Sequence, residues 1–213
     1  MVKINLSKAS KMPCRSWSLE AGSTCPGSID PVTKVIKPAC AGCYAKCGNY
    51  HFPNVKRTRD ENRLAWQEDD FVSAMVEEID NDRYFRWFDS GDIYHPRLAE
   101  KIYQIMLLTP LVKHWLPTQS YNIPKIRYWL DKMQALSNVM VRFSSGEIDG
   151  SYTIEHGSTV VSTYDTLTNA KVCDAYERDG KCGDCRACWN KETPIIAYPA
   201  HGNKMKSFIK KSA

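Results

Sequence analysis

Residues 84–147 read YFRWFDSGDIYHPRLAEKIYQIMLLTPLVKHWLPTQSYNIPKIRYWLDKMQALSNVMVRFSSGE, and this stretch decides the fold. The aromatic run from Tyr84 to Asp89 has strand composition. Pro96 stands where a helix can begin, and Leu98, Ile102, Ile105 and Met106 then form one apolar face up to Pro110. A strand candidate follows at Lys113–Leu116. Pro124 opens a second helix, with Ile126, Trp129, Leu130 and Met133 on its apolar side, and Val139–Phe143 reads as the next strand. Strand, helix, strand, helix, strand is the order of parallel βαβ units joined by right-handed crossovers.

Working outward, Leu64, Trp66, Phe71, Met75 and Ile79 place a helix over 60–79, and a short strand is expected at Lys3–Leu6. Further strands are expected at Thr159–Ser162 and Ile195–Tyr198. The units are too few for an eight-stranded barrel. The expected fold is therefore α/β, a partial (β/α) barrel-like parallel sheet with Cys-rich N- and C-terminal loop regions. One domain is expected over 1–213, divided by composition into an N-terminal Cys-rich segment (1–56), a βα-repeat core (57–165) and a C-terminal Cys cluster with a basic tail (166–213).

Each strand candidate runs into small polar residues: Asp89-Ser90-Gly91-Asp92, Thr118-Gln119-Ser120, Ser144-Ser145-Gly146-Glu147 and Ser162-Thr163-Tyr164-Asp165. Parallel α/β folds bind ligands along that rim, which makes Asp89, Ser90, Gly91, Asp92, Gln119 and Ser144 substrate-binding candidates. Turns are polar in any protein, so the structural reading stands level with the functional one. Asp89, Asp92 and Glu147 are acid/base candidates on the same terms.

Hydrophobic residues make up 43% and charged residues 25% of the 213, enough apolar material for a packed core. No apolar run is long enough to cross a bilayer, and the N-terminal MVKINLSKASKMPC lacks the core of a secretory signal, so no membrane partner and a cytoplasmic location are expected. The net charge of +5 has its clearest source in Lys204, Lys206, Lys210 and Lys211; a solvated tail explains these better than a nucleic-acid surface. No phosphate loop, dinucleotide fingerprint or Ser/His/Asp order is present. The five histidines form no metal-ligand spacing, although His201 follows a strand and the second cysteine cluster.

A reducing cytoplasm turns nine cysteines toward metal or redox chemistry rather than disulfides, and an odd number cannot pair completely. Cys182-x-x-Cys185-x-x-Cys188, with Cys173 at a distance, has the ligand spacing of a [4Fe–4S] site. Two-residue gaps let successive sulfurs reach three corners of a cube, and the remote thiolate takes the fourth. The N-terminal set holds Cys14, Cys25, Cys40, Cys43 and Cys47. Cys14, Cys25, Cys40 and Cys43 are the expected ligands there, with Cys47 as the spare thiol. Zinc is the alternative metal, for example through Cys40/Cys43 and Cys182/Cys185. Trp189, beside Cys188, is placed to shield a cluster from water.

Pro13-Cys14, Ser16-Trp17-Ser18, Cys25-Pro26-Gly27, Cys40-Ala41-Gly42-Cys43-Tyr44-Ala45, Gly48-Asn49-Tyr50, the Phe85–Asp92 run, the final C-x-x-C-x-x-C and His201 together resemble a family of bacteriophage proteins of the gene-product-88 type. The resemblance spans most of the chain and implies a phage origin and a life in the bacterial cytoplasm. More distantly, Cys40-x-x-Cys43-Tyr44 and Ser90-Gly91-Asp92 look like radical S-adenosylmethionine enzymes, which use a partial barrel, a Cys-rich loop and a Gly-rich strand end. The sequence departs from their C-x-x-x-C-x-x-C loop, since Ile36 stands where a cysteine is required. Four or five N-terminal ligands would also leave no open iron for that cofactor.

The leading expectation is a phage-encoded iron–sulfur protein with one or two [4Fe–4S] clusters that exchanges electrons with a host or phage redox partner. A radical S-adenosylmethionine-type enzyme and a zinc-stabilised binding module are the alternatives. On this reading Cys182→Ser or Cys185→Ser removes iron from anaerobically reconstituted protein, measured as iron per chain; full retention would overturn the ligand assignment.

Overall fold

The structure is a computed structural model that describes residues 1–149, 157–163 and 170–212. Its strands are β1 (Arg15–Trp17), β2 (Tyr84–Trp87), β3 (Lys113–Thr118), β4 (Val139–Ile148), β5 (Ser158–Val161), β6 (Lys171–Val172) and β7 (Ile196–Pro199). They form one seven-stranded sheet in the order β1-β2-β3-β4-β5-β7-β6, and every pairing is parallel. The end strands β1 and β6 do not meet, so the sheet stays open. This is the partial barrel expected from the βαβ repeat.

The helices are α1 (Pro38–Ala41), α2 (Pro53–Ala65), α3 (Phe71–Ile79), α4 (Pro96–Leu108), α5 (Pro124–Ala135) and α6 (Asn203–Ser212). Pro96 and Pro124 occupy first-turn positions, where a missing N–H costs nothing. The expected apolar faces of α4 and α5 are buried, with Leu98, Ile102, Ile105, Met106, Leu130 and Met133 at zero exposure. Each such side chain contributes about 1.5–3 kcal/mol by leaving water. Along the strands the faces alternate. Phe85, Trp87, Leu116, Val139 and Val141 join the main core on the helix side. Arg86, Trp115, Pro117 and Ser144 face the other way, into an interior cavity.

Three local expectations are corrected. Residues 3–6 form no strand; their neighbour Ser7 makes only an isolated antiparallel bridge to Ser16. The helix over 60–79 is two helices, α2 and α3, broken at 66–70. Lys101 bridges the break: its ammonium donates to the carbonyls of Trp66 (3.0 Å) and Glu68 (2.5 Å), the latter also accepting from Phe71 N. Leu64, assigned to the apolar face, is 66% exposed. Strands β1 and β6, of three and two residues, had no expected counterpart. Of the fourth polar rim cluster, Tyr164 and Asp165 lie outside the described residues.

His114 on β3 is fully buried. Its ring accepts from Trp87 Nε1 (3.3 Å) and lies 2.9 Å from Thr109 Oγ1, and burial pushes its pKa down from 6.5 to about 3. The folded protein thus holds this ring neutral where the unfolded chain binds a proton. Stability from this group is complete above pH 6.5 and is lost progressively as pH falls toward 3. Lowering the pH from 7 to 5 is expected to cost about 2 kcal/mol through His114. Urea denaturation of the wild type against His114→Gln checks this; an identical slope in both would contradict it.

Candidate functional site

A cavity of about 500 Å3 occupies the inner side of the sheet, within the size range of small-molecule sites. It is lined by Cys25, Cys40 and Cys43 from the N-terminal segment and by Cys173, Cys182 and Cys188 from the C-terminal segment. The two Cys-rich segments therefore close the face that the helices leave open.

Close backbone packing places the N-terminal group. Cys25 precedes a tight turn, Pro26–Ser28. A Cβ on Gly27 would stand 2.2 Å from the Gln119 carbonyl oxygen, so only glycine lets this turn sit against the end of β3. Cys40 lies within α1, which packs on β4. Gly42 lets α6 cross over the knuckle, since a Cβ there would meet Met205 at 2.7 Å. Gln119 Nε2 donates to Cys40 Sγ at 3.2 Å, and Gly22 N donates to Cys25 Sγ at 3.4 Å. Burial pushes the Cys25 thiol up to about 12, with the nearby Asp92 carboxylate adding to the shift. Burial likewise takes Cys40 up to about 11, with Cys43 and Asp92 adding to it. Cys47 stands aside: it does not line the cavity, and its Sγ bonds to the Tyr44 carbonyl at 3.1 Å.

The C-terminal group is assembled differently. Cys173 follows β6, its N–H bonded to the Ala197 carbonyl at 2.8 Å. Cys182 N donates to the Lys11 carbonyl at 3.0 Å, which ties the two terminal segments together. Cys188 Sγ lies 3.3 Å from the Tyr198 hydroxyl; burial pushes this thiol up to about 11, against the pull of that hydrogen bond. Cys14 belongs here and not with its sequence neighbours. It stands before the start of β1, away from the C-terminal rim, and packs with Met12, Trp115 and Trp189 against Cys182 and Cys188. Burial pushes its thiol up to about 12, opposed by Arg86. The expected N-terminal set of Cys14, Cys25, Cys40 and Cys43 is thus divided. Cys185 does not line the cavity.

The polar rim residues are largely committed to the fold. Asp89 pairs with the buried Arg59 guanidinium at 3.1 Å and also bonds to Ser18. Ser90 bonds to Leu19 O (2.7 Å) and Arg59 (3.0 Å). Asp92 accepts from Thr118 Oγ1 (2.6 Å), Gln119 N (2.8 Å) and its neighbour Ile93 N (2.7 Å). Burial raises it to about 6 in spite of those bonds. Ser144 lies 3.1 Å from Ser158 Oγ. Gln119 alone among these candidates keeps a buried oxygen, Oε1, without a partner.

Two arginines escaped the sequence reading. Arg86 on β2 faces the cavity. Arg142 on β4 is fully buried, and its guanidinium donates to the carbonyls of Ala187 (2.8 Å), Cys188 (3.1 Å), Asn190 (3.0 Å), Thr193 (3.0 Å) and Pro194 (3.4 Å). It gathers the loop behind Cys188. Strand alternation could have found both, since each is a charged residue at an inward position between outward-facing core residues.

Among the described residues, no three His, Cys, Asp or Glu side chains converge closely enough to hold a single metal ion. No helix among them is long and apolar enough to cross a membrane. The family model described as Gene product 88 matches residues 2–191. No curated protein and no solved structure matches the chain.

Arg142→Met is expected to orphan those carbonyls and to destabilise the protein by about 3 kcal/mol or more. Early proteolytic cleavage within 171–194 should accompany the loss. Urea denaturation and limited proteolysis check both; a loss under about 1 kcal/mol with unchanged cleavage would contradict the role.

Proposed function

The chain belongs to the gene product 88 family of phage proteins, and on that footing we propose that it is an iron–sulfur redox protein working in the host cytoplasm. One observation carries the reading: thiols from both ends of the chain line a single cavity, three from each segment. The donors are soft and uniform in type, which suits iron–sulfur ligation. Arg142 places a buried cation beside Cys188 with no carboxylate bonded to it among the described residues, and a buried charge calls for an opposite one. Anionic thiolates at a cluster supply it. Bound there, a cluster accepts and releases single electrons. The chain holds the thiols in two segments, covers Cys14, Cys182 and Cys188 with Trp115 and Trp189, and offers Gln119 Nε2 and Gly22 N to the sulfurs of Cys40 and Cys25.

A second reading, a radical S-adenosylmethionine-type activity, is favoured by the separation of Cys14. The N-terminal group then has three thiols, Cys25, Cys40 and Cys43, on the cavity wall. A three-thiol set leaves one position for a ligand, which removes the objection that four N-terminal ligands raised.

The variants Cys40→Ser/Cys43→Ser and Cys182→Ser/Cys188→Ser separate the groups. Each pair is expected to lose about half of the iron and acid-labile sulfide taken up by air-free wild type, about eight of each per chain for two cubanes. Full retention in both variants, or stoichiometric zinc with no iron, would overturn the proposal. A paramagnetic spectrum that shifts on adding S-adenosylmethionine to wild type and to Cys182→Ser/Cys188→Ser, and does not shift in Cys40→Ser/Cys43→Ser, selects the second reading.

A further inference from the structure

Arg86 and Trp115 are register partners on β2 and β3, and both line the cavity. The guanidinium stacks 4.6 Å above the indole ring. Arg86 Nε and Trp115 Nε1 are both buried with no acceptor. Among the described residues Arg86 has no carboxylate at ion-pair distance, and Asp89, the acid that acts on it through space, is committed to Arg59. Burial alone would lower Arg86, but Tyr44, which also hydrogen-bonds to it, and Asp89 outweigh burial and hold the guanidinium above its ordinary value. A fixed cation and two orphaned donors therefore lie side by side at one point of the cavity wall. An unmet buried donor is destabilising, and a buried charge without a counter-ion more so. A single acceptor carrying negative charge answers all three.

We propose that Arg86 and Trp115 form an anion-binding subsite that receives the carboxylate or phosphate of a small molecule in this cavity. The inference goes beyond the iron–sulfur reading and does not require it. Stacking on Trp115 holds the guanidinium plane, which suits two-pronged recognition of a planar carboxylate or a phosphate face. The cavity volume accommodates a ligand of metabolite size around that anchor.

The test is the melting temperature of the full chain, air-free and reconstituted, titrated with sodium phosphate and separately with sodium succinate, against sodium chloride at matched ionic strength. At least one of the two anions should raise the melting temperature of wild type above the chloride reference. Arg86→Met should abolish the rise, and Arg86→Lys should keep part of it. Trp115→Phe, which keeps the ring and removes the donor, should weaken the apparent affinity severalfold, and it serves if Arg86→Met does not fold. No rise beyond chloride in wild type, or an equal rise in wild type and Arg86→Met, would overturn the subsite. So would loss of iron from Arg86→Met with no anion effect in wild type, because the guanidinium would then serve the cluster. Iron and sulfide measured on the same samples keep this result separate from failure of the redox reading.

Discussion

No crossover helix covers the inner face of the open sheet, which is left to the two ends of the chain with their helices α1 and α6, and much of the structure follows from that constraint. Helices α3, α4 and α5 fill the outer face with aliphatic side chains. The inner face is closed by loops from the two ends of the chain, and loops of this kind carry few apolar residues. Their cohesion comes instead from specific contacts: Gly27 against Gln119, Gly42 beneath Met205, Cys182 N on the Lys11 carbonyl, and the Arg142 guanidinium on the loop from Ala187 to Pro194. Six cysteines on these segments line the cavity that the closure leaves.

Electrostatics set the two cysteine groups apart. Asp92 stands beside the N-terminal group and raises the thiols of Cys25 and Cys40 beyond what burial does. Arg86 and Arg142 stand beside the C-terminal group and pull the Cys188 thiol the other way.

The βαβ core was legible because Pro96, Pro124 and two regular apolar faces each report on local backbone geometry. Short elements were not legible: β1 and β6 have too few residues for any period to show. The break between α2 and α3 depends on Lys101, a residue from a later helix, so no local pattern could reveal it. Spacing groups cysteines that share a loop, as in 182–188, although of these only Cys182 and Cys188 line the cavity. Spacing does not foretell the neighbours of Cys14, which come from a loop some 170 positions away in sequence. Arg86 and Arg142 could have been noticed, since period-2 alternation turns both inward, yet their meaning needs the cavity in view.

X-ray absorption at the iron edge of air-free wild-type protein tests the central claim most directly. The account predicts a first shell of sulfur alone together with iron–iron scattering from a polynuclear centre. Iron with an oxygen or nitrogen shell and no iron–iron scattering, or a folded protein that takes up no iron at all, would contradict it.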